Sequence, residues 1–296
     1  MDSPMRILHV LRSNAWGGLE HYALDLIQHL MQQGQQTSHV LLCRQGSRVA
    51  TEAAIRRIST CHHRSAILES YDLIHVHQRQ DLPMVRLLLL VSRRRPVVYS
   101  LYMSAPPKKD FYHRWIYGMI DSLMSSSQDL NQEVRMNFPL DQNRIHLVRY
   151  GRDTQKHPPH AEEIQEFRSR TLAQAGRLIF ATLCRIDPGK GILDIIEGLK
   201  ILSEDERKCF EIWIVGEPTL LTTNSDGTRV YESESIQAYE QLQEMSRDPQ
   251  FQSCLKLIPY QKDPSLVLAS IDVFLLATHK ETYSLAVLDA FQMAKP

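Results

Sequence analysis

An arginine and a lysine five residues apart form the clearest chemical pair in this sequence, in the segment Arg185-Ile186-Asp187-Pro188-Gly189-Lys190-Gly191. They follow an apolar run, Leu178 to Cys184, and precede a helical pattern, Ile192 to Leu202, which puts them on a loop at the carboxyl end of a strand. Two cations on such a loop can clamp both phosphates of a diphosphate and neutralise charge developing on a leaving group. A second constellation follows the apolar run Ile271 to Ala277. Glu281 falls in a loop and Asp289 about one turn into a helix, so both carboxylates can reach hydroxyls of one polyol, while the amides of Ser284 and Leu285 face an anion. The third is Asn14-Ala15-Trp16-Gly17-Gly18, a loop that ends at a helix start, where free N–H groups favour an anion and two glycines let a ligand approach the backbone. Singly, these are solvated cations, dipole partners and an ordinary turn. None matches G-x-G-x-x-G or the P-loop pattern, which removes support for dinucleotide dehydrogenases and P-loop NTPases.

The elements that must position these loops alternate as parallel α/β units do. In the first half, strands are expected at Met5 to Leu11, Thr37 to Cys43, Leu73 to His77, Val97 to Leu101 and Ile145 to Val148. Leu19, Tyr22, Ala23, Leu26, Ile27, Leu30 and Met31 recur at helical spacing, and Gly34 stands where that helix stops. After a composition shift over Arg152 to Gly176 the alternation restarts, with strands Leu178 to Cys184, Phe210 to Val215, Leu255 to Pro259 and Ile271 to Ala277. Helices are expected at Ile192 to Leu202 and near Ser235 to Met245, Ser265 to Ala269 and Leu285 to Met293. This predicts two Rossmann-like domains, 1–155 and 156–296, with ligands bound at carboxyl ends of strands and a cleft between the halves as the expected site.

Charge divides along the same line. The 296 residues hold 34 Lys and Arg against 34 Asp and Glu, yet residues 1–160 carry a net +7 and residues 161–296 a net −7. Such asymmetry predicts two domains with different partners. The five cysteines form no C-x-x-C pair, so neither a disulfide framework nor a zinc knuckle is expected, and a reducing cytosol is the simplest compartment. The longest aliphatic run, Leu87 to Val91, is too short to span a bilayer. In the basic half, Arg93-Arg94-Arg95, Lys108-Lys109 and Arg114 lie near Phe111, Tyr112, Trp115 and Tyr117, a mixture suited to an anionic membrane surface. No nucleic-acid-binding motif accompanies it. His75 and His77 alternate along one strand and share a face, with His62-His63 nearby. No third ligand stands at metal-site spacing, so they read as strand-end histidines lining the cleft, without a metal.

Taken in order, GGLE after the first strand, IHVH on a later strand, CRIDPGKGILDIIEGL, IWIVG and ETYSLAVLDAFQMAKP resemble the retaining GT-B glycosyltransferases of family 4, whose pattern near the end is a Glu, seven residues and a second Glu. The resemblance spans nearly the whole chain. It implies a nucleotide-diphosphate-sugar donor, UDP- or GDP-linked, held by the C-terminal domain, and a glycan or lipid-linked acceptor held mainly by the N-terminal one. It further implies transfer with retention of configuration, no cofactor and no bound metal. By position, Arg185 and Lys190 would bind the donor diphosphate, Glu281 the donor sugar and Asp289 the ribose. Ser284 and Leu285 would line the donor site, Gly216 would lie beside the base, and Gly17 and Gly18 would approach the diphosphate or acceptor. The chain departs from the pattern at Tyr102, where a His near the reacting sugar is usual, at Asp289 for Glu, at Ser284 for Gly, and at Arg149 and Tyr150 for Pro and Asn. An unperturbed phenol titrates near ~10, so Tyr102 does not act as a His would at neutral pH. The family also continues beyond the position of Lys295-Pro296, so the second domain is expected to lack its usual end. A sugar-nucleotide-binding scaffold and a GT-B epimerase are the alternative functions.

Overall fold

The structure is a computed structural model that describes residues 4–33, 36–63, 70–152, 158–223, 228–261 and 263–296. It divides into two compact units, Met1–Tyr150 and Gly151–Pro296. The expected boundary at 155/156, like Gly34, lies outside the described residues. The stretch of shifted composition belongs to the second unit, because its Phe167 packs on Trp213 with ring centroids 6.0 Å apart.

In unit 1, strands β1 (Met5–Val10), β2 (Thr37–Leu42), β3 (Ser59–Cys61), β4 (Leu73–Val76), β5 (Val97–Leu101), β6 (Ser122–Ser125) and β7 (Ile145–Leu147) form one sheet in the order β3-β2-β1-β4-β5-β6-β7. Every pairing is parallel. Helices α1 (Gly18–Gln33), α2 (Arg48–Ile55), α3 (Leu82–Val91), α4 (Phe111–Tyr117) and α5 (Gln128–Asn137) lie between the strands in sequence. Strand order reverses between β1 and β4, the switch point at whose carboxyl edge such sheets bind ligands. Both faces are covered, so the strands are apolar on both sides. Leu8, Val10, Ile74, Val76 and Tyr99 pack on one, while Leu11 and Leu41 pack with Ala23, Leu24 and Ile27 of α1 on the other. Strand β6 escapes the apolar pattern because Ser125 is buried through polar contacts, bonding the His146 carbonyl at 3.2 Å and the Asn131 amide at 2.8 Å.

Unit 2 repeats the scheme on a smaller sheet. Its elements are α6 (Ala161–Arg170), β8 (Leu178–Leu183), α7 (Ile192–Ile201), α8 (Glu204–Arg207), β9 (Phe210–Val215), the antiparallel pair β10 (Leu220–Thr223) and β11 (Arg229–Tyr231), α9 (Ser233–Arg247), β12 (Leu255–Ile258), α10 (Ser265–Ser270), β13 (Val273–Phe274) and α11 (Leu285–Gln292). The parallel sheet runs β12-β9-β8-β13, with its reversal between β8 and β13. Strand β13 is shorter than the apolar run Ile271 to Ala277. Its backbone leaves the ladder to carry Thr278 and His279 to the Gly189 carbonyl, each bonding it at 3.1 Å. The buried carboxylate of Glu211 is fully engaged by Lys256 Nζ and Trp213 Nε1, both at 2.8 Å, and by the Gln174 amide at 2.7 Å.

Candidate functional site

In unit 2, the loops after β8 and β13 flank the strand-order reversal. The β8 loop passes through a 3-10 turn, Pro188–Lys190, and enters α7 through Gly191 at φ 63°. A Cβ on Gly191 would stand 1.9 Å from the Ala277 carbonyl oxygen, and one on Gly216 would stand 2.0 Å from that of Cys184. Both glycines are therefore demanded by backbone packing, which ties the β8 loop to the ends of β9 and β13. This packing brings Lys190 and Glu281 together, Nζ to Oε2 at 3.2 Å, across 91 residues of sequence. Arg185, the other half of the expected clamp, is exposed and forms no ion pair among the described residues. Ser284 caps α11, its side chain accepting from the Val287 amide at 3.3 Å, so the amides at the helix start, Leu285 among them, face outward from the cap. Asp289 lies one turn into α11 and bonds Arg152 at 2.7 Å, with side chains 19% and 20% exposed. Arg152 is a partner that belongs to none of the motifs; its separation of 137 residues from Asp289 leaves no local signal.

Unit 1 places Gly17 and Gly18 where β1 enters α1. Gly18 is the first residue of the helix, and the His21 amide bonds the Gly17 carbonyl at 3.1 Å. Here the glycine is not demanded by the fold, since the nearest atom to a Cβ on Gly17 is Glu20 Oε2 at 3.6 Å, an ordinary contact. Beside it, Trp16 Nε1 is a buried donor without a partner among the described residues. Glu20, the acid of the GGLE segment, is buried in the first turn of the helix.

Tyr102 is 9% exposed. Its hydroxyl meets His77 Nδ1 at 2.9 Å, and its ring packs near those of Tyr22 and Tyr150, at centroid distances of 5.9 and 5.5 Å. Burial and the neighbouring phenol of Tyr150 raise its pKa well above the usual tyrosine range, so it stays protonated. The strand histidines also differ from expectation: His75 and His77 are buried rather than lining an open edge, because both faces of the sheet are covered. The third histidine that local spacing lacks comes from β1, where His9 is the register partner of His75. His9, His75 and His77 each offer a ring nitrogen within 4.8 Å of the others. Burial lowers the pKa of all three, His75 to about 4, and keeps them neutral.

The basic and aromatic stretch forms a surface with one exception, Tyr117, which is buried against Phe138 at a centroid distance of 4.7 Å. Phe111 is 86% exposed, with Tyr112 and Trp115 beside it on α4; α3, which packs on α4, adds exposed Leu87, Leu90 and Val91 just before Arg93. Among the described residues no helix is long and apolar enough to cross a membrane.

Known proteins share this architecture. The sequence model of Glycosyltransferase Family 4 matches residues 16–156. No curated protein matches the chain. Among solved structures, Anabaena HepE in complex with UDP and glucose is similar with a TM-score of 0.78 at 15% identity, covering 99% of this chain and 79% of HepE. A glycosyltransferase from Rickettsia africae gives a TM-score of 0.79 at 14% identity, covering 99% and 78%. WaaG, a glycosyltransferase involved in lipopolysaccharide biosynthesis, gives 0.61 at 13% identity, covering 98% and 80%. The fold is that of the GT-B glycosyltransferases, with Rossmann-like α/β units.

Proposed function

We propose that the chain is a glycosyltransferase that moves a sugar from a UDP- or GDP-sugar to a hydroxyl of a glycolipid or polysaccharide acceptor, with retention of configuration. The observation that carries this reading is the convergence of two separate loops at one strand-order reversal, with Lys190 3.2 Å from Glu281 and Arg185 exposed on the same loop as Lys190. A diphosphate would take Arg185 and exchange the Lys190 ion pair for its own oxygens, which releases Glu281 to accept from sugar hydroxyls. The amides at Ser284 and Leu285 add the positive end of α11, Asp289 accepts from the ribose while Arg152 fixes its rotamer, and Gly216, just past β9, would lie beside the base. The complexes of HepE with UDP and with UDP-glucose support a donor of this class.

The chemistry needs no protein nucleophile. The acceptor hydroxyl attacks on the face from which the diphosphate leaves, a departing diphosphate oxygen takes its proton, and Arg185 and Lys190 stabilise the negative charge. A protonated Tyr102 is no general base at neutral pH; its role is to order the polar face of unit 1. Past the carboxyl end of β1, Gly17 leaves its backbone open, which suits an acceptor or phosphate oxygen. The exposed apolar residues of α3 and α4, bordered by Arg93, Lys108 and Lys109, support docking on an anionic membrane carrying a lipid-linked acceptor, at about 1 kcal/mol per basic group near the surface.

Calorimetry with UDP and GDP tests the donor site. Arg185→Ala and Lys190→Ala should each lower nucleotide affinity roughly 10- to 100-fold, the range for losing a charge-assisted hydrogen bond. Undiminished affinity in both variants would remove the diphosphate assignment. Free nucleotide released from a donor without any acceptor would favour an epimerase instead.

A further inference from the structure

On one face of unit 1's sheet the apolar alternation is interrupted by histidines: His39 on β2, His9 on β1, His75 on β4 and His77 directly after it. Parallel pairing sets His9 beside His75 in register, and His77, two residues on, faces the same side. On the opposite face the equivalent places are filled by Leu8, Val10, Ile74 and Val76. Buried imidazoles cost free energy unless their nitrogens are engaged, so a cluster of them in a sheet core implies a use for those nitrogens.

One nitrogen of each ring is already held. His9 Nε2 meets His39 Nδ1 at 3.0 Å, His77 Nδ1 meets Tyr102 Oη at 2.9 Å, and His75 Nε2 meets Ser100 Oγ at 2.8 Å. His39 is fixed in turn by Thr37 Oγ1 at 3.0 Å. That leaves His9 Nδ1 and His77 Nε2, which are 3.0 Å apart, and the Nδ1 of His75. Metal-binding histidines show this division of labour: one nitrogen ligates while the other N–H donates to a neighbour that fixes tautomer and ring orientation.

We propose that His9, His75 and His77 form a binding site for a zinc-class transition-metal cation inside unit 1. Imidazole donors select Zn²⁺, Co²⁺ or Ni²⁺ over Mg²⁺ and Ca²⁺. Zinc holds imidazole nitrogen at about 2.0–2.1 Å, which sets neighbouring ligand nitrogens a little over ~3 Å apart. The separation of 3.0 Å between His9 Nδ1 and His77 Nε2 needs little adjustment to fit. The required tautomers carry their protons on His9 Nε2, His77 Nδ1 and His75 Nε2, where His39, Tyr102 and Ser100 stand as acceptors. Three protein ligands leave a fourth position for an exogenous oxygen. The competing arrangement is a metal-free relay, in which one proton lies between His9 and His77 and the hydrogen-bonded chain runs from Thr37 through His39, His9 and His77 to Tyr102.

The site is tested on the full chain, stripped with a chelator and titrated with Co²⁺. The expected result is one Co²⁺ per chain with visible d–d absorption, displaced by Zn²⁺, and zinc-edge absorption spectra of the wild-type protein showing a nitrogen and oxygen shell without sulfur. His75→Gln and His9→Gln should weaken binding at least 100-fold. Tyr102→Phe, which removes an outer partner, should weaken it about 10-fold, while His62→Ala and His63→Ala leave it unchanged. Absence of stoichiometric metal from the wild-type chain overturns the proposal in favour of the metal-free relay. So does a sulfur shell, or binding lost only with His62 or His63. The absorption-edge measurement needs no variant, so a misfolded mutant leaves the test intact. Nucleotide binding in unit 2 is a separate readout, and neither result depends on the other.

Discussion

At the strand-order reversal of unit 2 the polar side chains are ionic and partly solvated: Lys190 faces Glu281, Arg152 faces Asp289, and Arg185 stands exposed. At the corresponding reversal of unit 1 they are neutral and buried: His9, His75 and His77 linked to His39, Ser100 and Tyr102. The glycines contrast in the opposite sense. Gly191 and Gly216 are forced by backbone packing, whereas Gly17 has room for a side chain. Unit 2 thus fixes its backbone and keeps its charges available for a ligand to exchange. Unit 1 buries its polar groups and leaves a stretch of backbone open.

The largest way to separate the two is acid. In the folded protein His75 titrates at about 4, against 6.5 when unperturbed, and His9 and His77 are lowered as well, all chiefly by burial. As pH falls below 6.5 the unfolded chain takes up protons that the folded one refuses. The contribution of His75 to stability is therefore full above that pH, falls through the window between 6.5 and 4, and levels off below it. His75 alone contributes a loss of about 3 kcal/mol by the bottom of that window, because each tenfold change in proton affinity between folded and unfolded chain is worth ~1.4 kcal/mol. Hydrogen exchange read by mass spectrometry should show strands β1, β4 and β5 losing protection before β8 and β9. Equal loss in both units would mean that the histidines are not held neutral. Saturating Zn²⁺, if bound as proposed, should move the transition to lower pH.

Next in size are the packed glycines. Gly191→Ala places a methyl group against the Ala277 carbonyl at a positive φ, and left-handed strain with overpacking should cost unit 2 about 3 kcal/mol. Gly198→Ala, in the middle of α7 with open space around it, should instead stabilise by up to about 1 kcal/mol. Chemical denaturation of both variants checks the contrast; a neutral Gly191→Ala would show that the β8 loop can give way. Smaller again is Arg152→Ala. It removes a partly buried ion pair, for a loss of about 1 kcal/mol in unit 2. Nucleotide affinity should fall less than in Asp289→Asn, which alters the proposed ribose acceptor itself.

Much of this contrast is legible in the residues alone. The apolar runs Val97 to Leu101 and Phe210 to Val215 name β5 and β9 to the residue, and the loop after β8 names both halves of the cation pair. Strand β6 hides behind serines whose burial depends on tertiary hydrogen bonds, and the pair β10 and β11 gives no period to read. His9 is invisible for a different reason. One histidine in an apolar strand carries no signal, and only the pairing of β1 with β4, across 66 residues, sets it beside His75. The Arg152 and Asp289 pair is of the same kind, a contact created by topology between residues that share no local pattern.

The smallest structural effect gives the sharpest test of the contrast. Gly17→Ala meets nothing closer than Glu20 Oε2 at 3.6 Å from the new Cβ, and the position has no left-handed φ. Stability should therefore change by less than about 0.5 kcal/mol, the ordinary range for a surface substitution without a named defect. If Gly17 is a glycine so that a ligand can reach the backbone at the start of α1, the same methyl group should lower kcat/KM for glycosyl transfer by about 10-fold or more, while UDP affinity in unit 2 stays unchanged. Thermal denaturation, calorimetry and transfer kinetics on one variant read these outcomes separately. A stable protein with undiminished transfer would make Gly17 an ordinary turn residue, and the open backbone of unit 1 would lose its meaning. A stable protein with impaired transfer would establish that unit 1 reserves backbone for a ligand at the same topological point where unit 2 reserves charge.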